Sequence, residues 1–212
     1  MQLHFSVLAE KLMGKSFRKI TKYLRMTKND LRLAKEFISD HYHWIRPDGD
    51  VYTIDAILNT ARGLIRRYGI NALIIDPYNK IDANIGGENE TNYINRFLTK
   101  LTIFKQKYDI HIFLVAHPRK MNKRDDGMYE VPSLYDIAGS ANFYNQVDNG
   151  ITVYRDFKKE LTRVLIQKVK YRHIGELGEA QFKYNLQNGR YSEVGESLDD
   201  TSYIMEEQKS ML

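Results

Sequence analysis

Three features of the sequence predict an α/β fold with a mostly parallel sheet, flanking helices and a C-terminal antiparallel hairpin. Two short apolar runs, Leu73-Ile-Ile75 and Ile110 to Ala116, are separated by a helical pattern long enough to cross over a sheet. Each run ends on a polar residue followed by proline, Asp76-Pro77 and His117-Pro118, where a strand has to stop. Near the end of the chain, Asn188-Gly189 has the form of a turn between two short strands.

The elements follow in order. Leu3, Val7, Leu8 and Leu12 mark a helix over residues 3–13, with Gly14 as its stop. Thr27-Lys-Asn-Asp30 starts a second helix, running to about residue 40. Thr53 caps a third, with Ile54, Ile57, Leu58, Ala61, Leu64 and Ile65 on one face and Gly69 at its end. The run ending at Asp76 reads as a fully buried strand. A polar loop from Ile81 to Glu90 leads to a long helix over about 91–108, and Ile110 to Ala116 reads as a second buried strand. A charged loop over 118–132 precedes a short helix near 133–137, and Gly139-Ser-Ala-Asn142 precedes another reaching about Asp148. Ile151–Tyr154, Arg163–Lys170 and Phe182–Tyr184 read as strands, with alternate residues of 167–172 placing Lys168, Lys170 and Arg172 on one strand face. From Glu193 to residue 212 the tail carries six acidic residues and one Lys, and is expected to be disordered.

Composition narrows the function classes. With 212 residues, 42% hydrophobic and 28% charged, the chain has the make-up of one globular domain with a tail. It has no run of apolar residues long enough for a transmembrane helix, and its first residues mix Gln, His, Glu and Lys amphipathically, unlike a secretory leader. No membrane partner is expected. Absence of cysteine excludes disulfides and thiolate metal sites, and a cytoplasmic setting is expected. The net charge of +5 permits a polyanionic partner without requiring one.

Asp76 is the first candidate site residue. At the carboxyl end of a buried strand it lies where open α/β sheets bind ligands, and there a carboxylate holds Mg²⁺ against nucleotide phosphates. It equally suits a simple cap on the turn begun by Pro77. His117, at the end of the second strand, meets the same crevice and could contact a γ-phosphate or an attacking water; by itself it equally suits a surface histidine beside the turn at Pro118. The matching phosphate loop, G-x-x-x-x-G-K-[ST], has one near match, Ala9-Glu-Lys-Leu-Met-Gly-Lys-Ser16. That stretch lacks the first Gly and overlaps a helix, whose N–H groups are already engaged, so it is expected to be a decoy. Basic residues cluster at Arg119, Lys120, Lys123 and Arg124, diluted by Asp125 and Asp126, a run that by itself reads as a solvated loop, and again at Lys168, Lys170 and Arg172. A row of like charge on one strand face needs an anion, although Lys also protects edge strands from aggregation.

The ordered set Leu73-Ile-Ile-Asp-Pro-Tyr-Asn79, Phe113-Leu-Val-Ala-His-Pro-Arg-Lys120, Leu134-Tyr-Asp-Ile-Ala-Gly-Ser-Ala-Asn-Phe-Tyr144 and Gln167-Lys-Val-Lys-Tyr-Arg-His-Ile-Gly175, followed by Phe182-Lys-Tyr-Asn185, resembles a family. It is that of DnaB-type hexameric replicative helicases, on the Twinkle and phage primase–helicase branch, over residues 8 to 191. The resemblance implies a RecA-like P-loop NTPase core. It implies Asp76 as the Walker B carboxylate for Mg²⁺, direct or through water, and ATP or another NTP as the nucleotide. His117 becomes the γ-phosphate sensor, and Arg172, with Lys170 beside it, the arginine finger reaching a neighbour's nucleotide. Such a finger implies a ring of identical subunits, six or seven. Asn79 and Lys80, Arg119, Lys120, Lys123 and Arg124, and Gly139, Ser140 and Asn142 would line a central channel and grip single-stranded DNA.

The departure from the pattern is the phosphate loop and the Glu that activates water, which in the family precede the region matching residues 3–13. Residues 1–192 are therefore expected to be a partial motor domain, lacking the first strand or strands of the sheet. Two function classes stand side by side. One is the C-terminal part of an ATP-driven 5′→3′ DNA helicase, in a bacterial cell or phage-infected host. An upstream fragment would complete it, with a primase as a further candidate partner. The other class is an inactive DNA-binding or ring-associating remnant.

Overall fold

The computed structural model describes residues 2–19, 22–46, 52–81, 89–137 and 141–195. In chain order its helices are α1 (Gln2–Met13), α2 (Lys28–His41), α3 (Ile54–Tyr68), α4 (Glu90–Tyr108) and α5 (Ala141–Gln146). Its strands are β1 (Ala72–Ile75), β2 (His111–Leu114), β3 (Asn149–Asp156), β4 (Leu161–Val169), β5 (Gly178–Tyr184) and β6 (Tyr191–Glu193), with short 3₁₀ turns at Tyr78–Lys80 and Leu134–Asp136. The helix starts follow local chemistry. The Thr27 hydroxyl accepts the Asp30 N–H while the Asp30 carboxylate accepts the Thr27 N–H, a complete capping box. The Thr53 hydroxyl caps α3 by accepting the Ala56 N–H, without a reciprocal side-chain bond, and Gly69, at φ +66°, closes its last turn in the left-handed conformation.

The chain divides into two compact units. One holds Met1–His43, Arg155–Arg163 and Ala180–Leu212. Its core is built where α1 meets α2, from Ala9, Met13, Met26, Ala34 and Ile38. The Arg190 guanidinium, buried in this unit, donates to the Lys11 and Leu12 carbonyls at 2.7 and 3.2 Å, covering otherwise unpaired C=O groups at the end of α1. Gly14, at φ +68°, ends that helix, and Lys15 pairs with Asp30 at 3.0 Å. The Gly14, Ser16 and Phe17 N–H groups donate to Glu10 O, Leu24 O and Glu10 Oε1 respectively. With those donors and that lysine engaged, the Gly14-Lys15-Ser16 stretch is the decoy its sequence predicts.

The other unit holds Trp44–Tyr154 and Val164–Glu179. Strands β1 and β2 pair in parallel, Ala72 to His111 through Ile75 to Leu114. Leu73 and Ile75 are buried in a core with Ile54, Leu58 and Ala61 of α3 and Ile94, Phe97, Leu98, Leu101 and Phe104 of α4. The expectation of fully buried strands is corrected. Ile74 is 63% and Phe113 49% exposed, and these two are direct neighbours in the pairing. Side chains alternate along a strand, so the helices that cover Leu73 and Ile75 leave the opposite face open.

The expected α/β class is borne out, with a parallel sheet and a C-terminal antiparallel one, although the antiparallel part is larger than a hairpin and the parallel sheet correspondingly smaller. The parallel sheet has two described strands, whereas β3, β4, β5 and β6 follow one another in a separate four-stranded antiparallel sheet. The reason is connection length. Residues 157–160 join β3 to β4 directly, the Asp156 carboxylate accepting the Lys158 and Lys159 N–H groups, and no crossover helix intervenes. β4 ends at Val169, so Lys170 and Arg172 lie beyond the strand and not on its face. Glu193 belongs to β6, which puts the start of any tail after it; residues 196–212 lie outside the described residues.

Candidate nucleotide and nucleic-acid site

At the carboxyl ends of β1 and β2 the two following loops are joined. The Val115 N–H donates to Ile75 O at 2.9 Å, continuing the ladder past Leu114, and the Tyr78 N–H donates back to Val115 O at 2.7 Å. The Asn79 side-chain carbonyl then accepts the His117 N–H at 3.1 Å. Asp76, Asn79 and His117 are thereby brought to one place, with Asp76 and His117 both exposed. The ring of Tyr78 anchors this corner by edge contacts with Phe97 and Phe143, at centroid distances of 5.1 and 5.2 Å. Burial, with the nearby Tyr93 and Glu90, pushes its hydroxyl up to about 12, so it remains a neutral packing group.

Among the described residues no cluster of three or more His, Cys, Asp or Glu side chains is arranged to hold a metal ion. Asp76 is nevertheless suited to Mg²⁺. It is an exposed carboxylate with no hydrogen bond or ion pair to another described residue, and Mg²⁺ keeps waters and takes one or two carboxylates plus substrate phosphates.

The loop after His117 is more structured than expected. Lys123 and Tyr129 pair as an antiparallel bridge, the Arg124 N–H donates to Met128 O, and Lys123 lies 5.5 Å from the Tyr129 ring centroid. Arg119 is ion-paired to Asp136 at 2.8 Å and Arg124 to Asp126 at 2.9 Å. Hydrogen bonds from the Ser133 backbone and hydroxyl, reinforced by Arg119, hold the Asp136 carboxyl below its ordinary range. Lys80 and Lys120 are exposed, with no ion pair among the described residues. Asn142 donates to Thr91 O at 3.3 Å, so its amide is partly engaged with α4. Gly139 and Ser140 lie outside the described residues.

The second basic cluster meets its anion inside the protein. Lys168 donates to the Tyr144 and Asn145 carbonyls at the end of α5, where unpaired C=O groups favour a cation. Burial, then the neighbouring charge of Lys170, lowers the Lys168 pKa. Lys170 donates to Asp148 twice, from Nζ at 2.7 Å and from its N–H to the backbone carbonyl at 2.9 Å, and Lys105 holds the other carboxylate oxygen. Hydrogen bonding to Asp148 raises the Lys170 pKa. Partial burial works to raise the Asp148 pKa, but its bonds with Lys105 and Lys170 prevail and hold it low. Arg172, in the turn beyond, is exposed and has no partner among the described residues. Lys170 therefore anchors the segment and is not a second free cation beside Arg172. Asp148 had no signal in the sequence, because its lysines stand 43 and 22 residues away.

A scan against protein-family models finds no match. The chain is 36% identical, over 176 residues, to the Twinkle homolog protein, chloroplastic/mitochondrial, of Arabidopsis thaliana, an alignment covering 80% of this chain and 24% of that protein. The chain thus spans about a quarter of the curated relative it matches. Among solved structures it is similar to the ATPase domain of a DnaB-like helicase, with a TM-score of 0.71 and 18% identity over 90% of this chain and 69% of the other. At that identity the likeness concerns the fold.

Proposed function

This chain holds a RecA-like domain of the DnaB/Twinkle type, in the replicative helicase family, and from that premise we propose that it is the C-terminal part of an ATP-dependent, ring-shaped 5′→3′ DNA helicase. The observation that carries this reading is the Asn79–His117 hydrogen bond, which ties the loop after Asp76 to the loop leading into Arg119 and Lys120. A nucleotide-dependent change at Asp76 or His117 would reach the DNA loop through that link, together with the Tyr78 N–H bond to Val115 O.

In this reading Asp76 would hold Mg²⁺, which when bound neutralises charge developing on the transferred phosphoryl group. His117 senses the γ-phosphate. Lys80, Lys120 and Lys123 offer ammonium groups to DNA phosphates without sequence preference, alongside Asn79, Asn142, Gly139 and Ser140. Arg172 reaches the nucleotide of the adjacent subunit in a hexamer or heptamer. An upstream segment carries the phosphate loop, since Lys15, the lysine of the near match, is paired with Asp30 and unable to supply it.

The 212-residue chain alone should show no steady-state phosphate release with ATP, Mg²⁺ and single-stranded DNA. Joined to a segment carrying a phosphate loop, it should turn over, and Asp76→Asn should abolish that turnover. Asp76-dependent turnover by the chain alone, on the order of 1–100 per second, would refute the division of labour.

A further inference from the structure

Tyr135 is 53% exposed although the turn that carries it is held by several hydrogen bonds. Ser133 Oγ accepts the Tyr135 N–H at 3.2 Å, and the Asp136 carboxylate accepts both the Ser133 N–H and hydroxyl at 2.8 Å. Gln167 clamps the same turn from β4, accepting the Leu134 N–H at 3.1 Å and donating to Pro132 O at 2.9 Å. Leu134, the preceding residue, is the one buried in the interior. Burial in the core therefore does not account for an aromatic ring at 135.

One side of that ring is already stacked. The Tyr135 and Tyr144 centroids are 4.5 Å apart with planes 21° from parallel, and the Lys168 ammonium lies 5.0 Å from the Tyr144 centroid. Cations border the turn as well. Pro118 pairs antiparallel with Ile137, and the Arg119 N–H donates to Asp136 O at 2.6 Å, which brings the strand-end loop with Lys120 alongside residues 135–137. An exposed aromatic held rigid beside basic groups is the composition by which proteins bind unpaired bases: the ring stacks, the cations meet the backbone, and little side-chain entropy is lost.

We propose that the exposed side of Tyr135 is a stacking platform for one base of single-stranded DNA, extending the Tyr135–Tyr144 stack by a third ring. The proposal rests on the reading of this chain as a single-stranded DNA-binding domain. It adds a contact to the bases where that reading has contacts to phosphates. Every base has a π-face, so the platform tolerates any sequence.

The test is fluorescence anisotropy of a labelled oligothymidylate with the 212-residue chain, over a salt series. Tyr135→Leu should weaken binding by roughly 5- to 150-fold while the dependence of log K on log salt keeps its slope, because a stacked base releases no counterions. Tyr135→Phe should bind like the wild type. An abasic oligomer of equal length should bind the wild type as weakly as oligothymidylate binds Tyr135→Leu, a comparison independent of how that variant folds. Equal affinity of the wild type for abasic and base-bearing oligomers, with salt-dependent binding intact, overturns the platform and leaves the DNA-binding reading standing. Absence of any salt-dependent binding by the wild type overturns both.

Discussion

At the end of β4, Lys168 and Lys170 are both engaged within the protein, one on the last carbonyls of α5 and the other on Asp148, and Arg172 beyond them is exposed. In the loop after β2 the order is reversed by residue type. The two arginines, Arg119 and Arg124, are paired to Asp136 and Asp126, while Lys120 stays free of ion pairs among the described residues and Lys123 meets only an aromatic face. Both segments look alike as charge along the chain. The difference lies in how many carboxylates and carbonyls the fold delivers to each, and it separates cations that hold the protein together from cations open to a ligand.

The largest effect expected from this contrast is at Arg172. In an assembly that hydrolyses ATP, Arg172→Ala should cut turnover by about 10³–10⁵ with nucleotide binding largely kept, the range found for arginine fingers. Lys170→Ala should do much less and should mimic Asp148→Ala. Equal losses at 170 and 172 would break the contrast, because they would make Lys170 a nucleotide contact as well. Mixing Arg172→Ala protomers with Asp76→Asn protomers should restore part of the activity, since one type of interface then has both groups intact. Rings shown to be mixed yet inactive would argue for action within a single subunit.

A smaller effect concerns Asp148, which is only partly buried. Replacing it by Ala leaves Lys105 without its carboxylate and should lower stability by about 1–2 kcal/mol in urea unfolding, after discounting for solvent exposure. The pH dependence has a definite sign. Because the Asp148 carboxyl is held low in the folded state, its contribution is complete above the unfolded value of about 3.9 and is lost as pH falls through the lower folded value. Asp148→Asn should remove that part of the acid limb. Stability that instead declines for the variant between neutral pH and about 5 would point to another group.

The smallest effect is in the loop. Replacing Lys120 and Lys123 by Ala should flatten the plot of log K against log salt by about 0.7 per lost phosphate contact on single-stranded DNA. Arg124→Ala should change it less, because Asp126 already balances that charge. A slope change at Arg124 as large as at Lys120 would mean the ion pair opens when DNA binds.

Much of this fold is legible from the chain because its signals are local. The Thr27 and Thr53 caps, the Gly14 and Gly69 stops and the Asn188-Gly189 turn each depend on residues within one turn of each other, so sequence order is enough to place them. The placement of Asp76 and His117 after the two strand ends is legible for a related reason: an apolar run that stops on a polar residue fixes which end of a strand that residue follows. The alternation argument at 168–172 failed because it needed β4 to continue, and the strand stops at Val169.

Asp148, Asp136 and the Tyr135–Tyr144 stack belong to the other category. Lys105, Asp148 and Lys170 come from α4, the start of β3 and the end of β4, and Arg119 meets Asp136 across 17 residues. No periodicity within one element encodes such a meeting. By itself the sequence determined the order of helices and strands, where α2 and α3 start and where α1 and α3 stop, that the Gly14-Lys15-Ser16 stretch is no phosphate cradle, and which carboxylate and histidine follow the two parallel strands. Only the tertiary structure decided which cations remain open, which face of β1 and β2 stays bare, and that an exposed tyrosine is held rigid. Those outcomes depend on long-range approach of groups, and an ion pair, a stack or a buried face exists only once the intervening chain has folded.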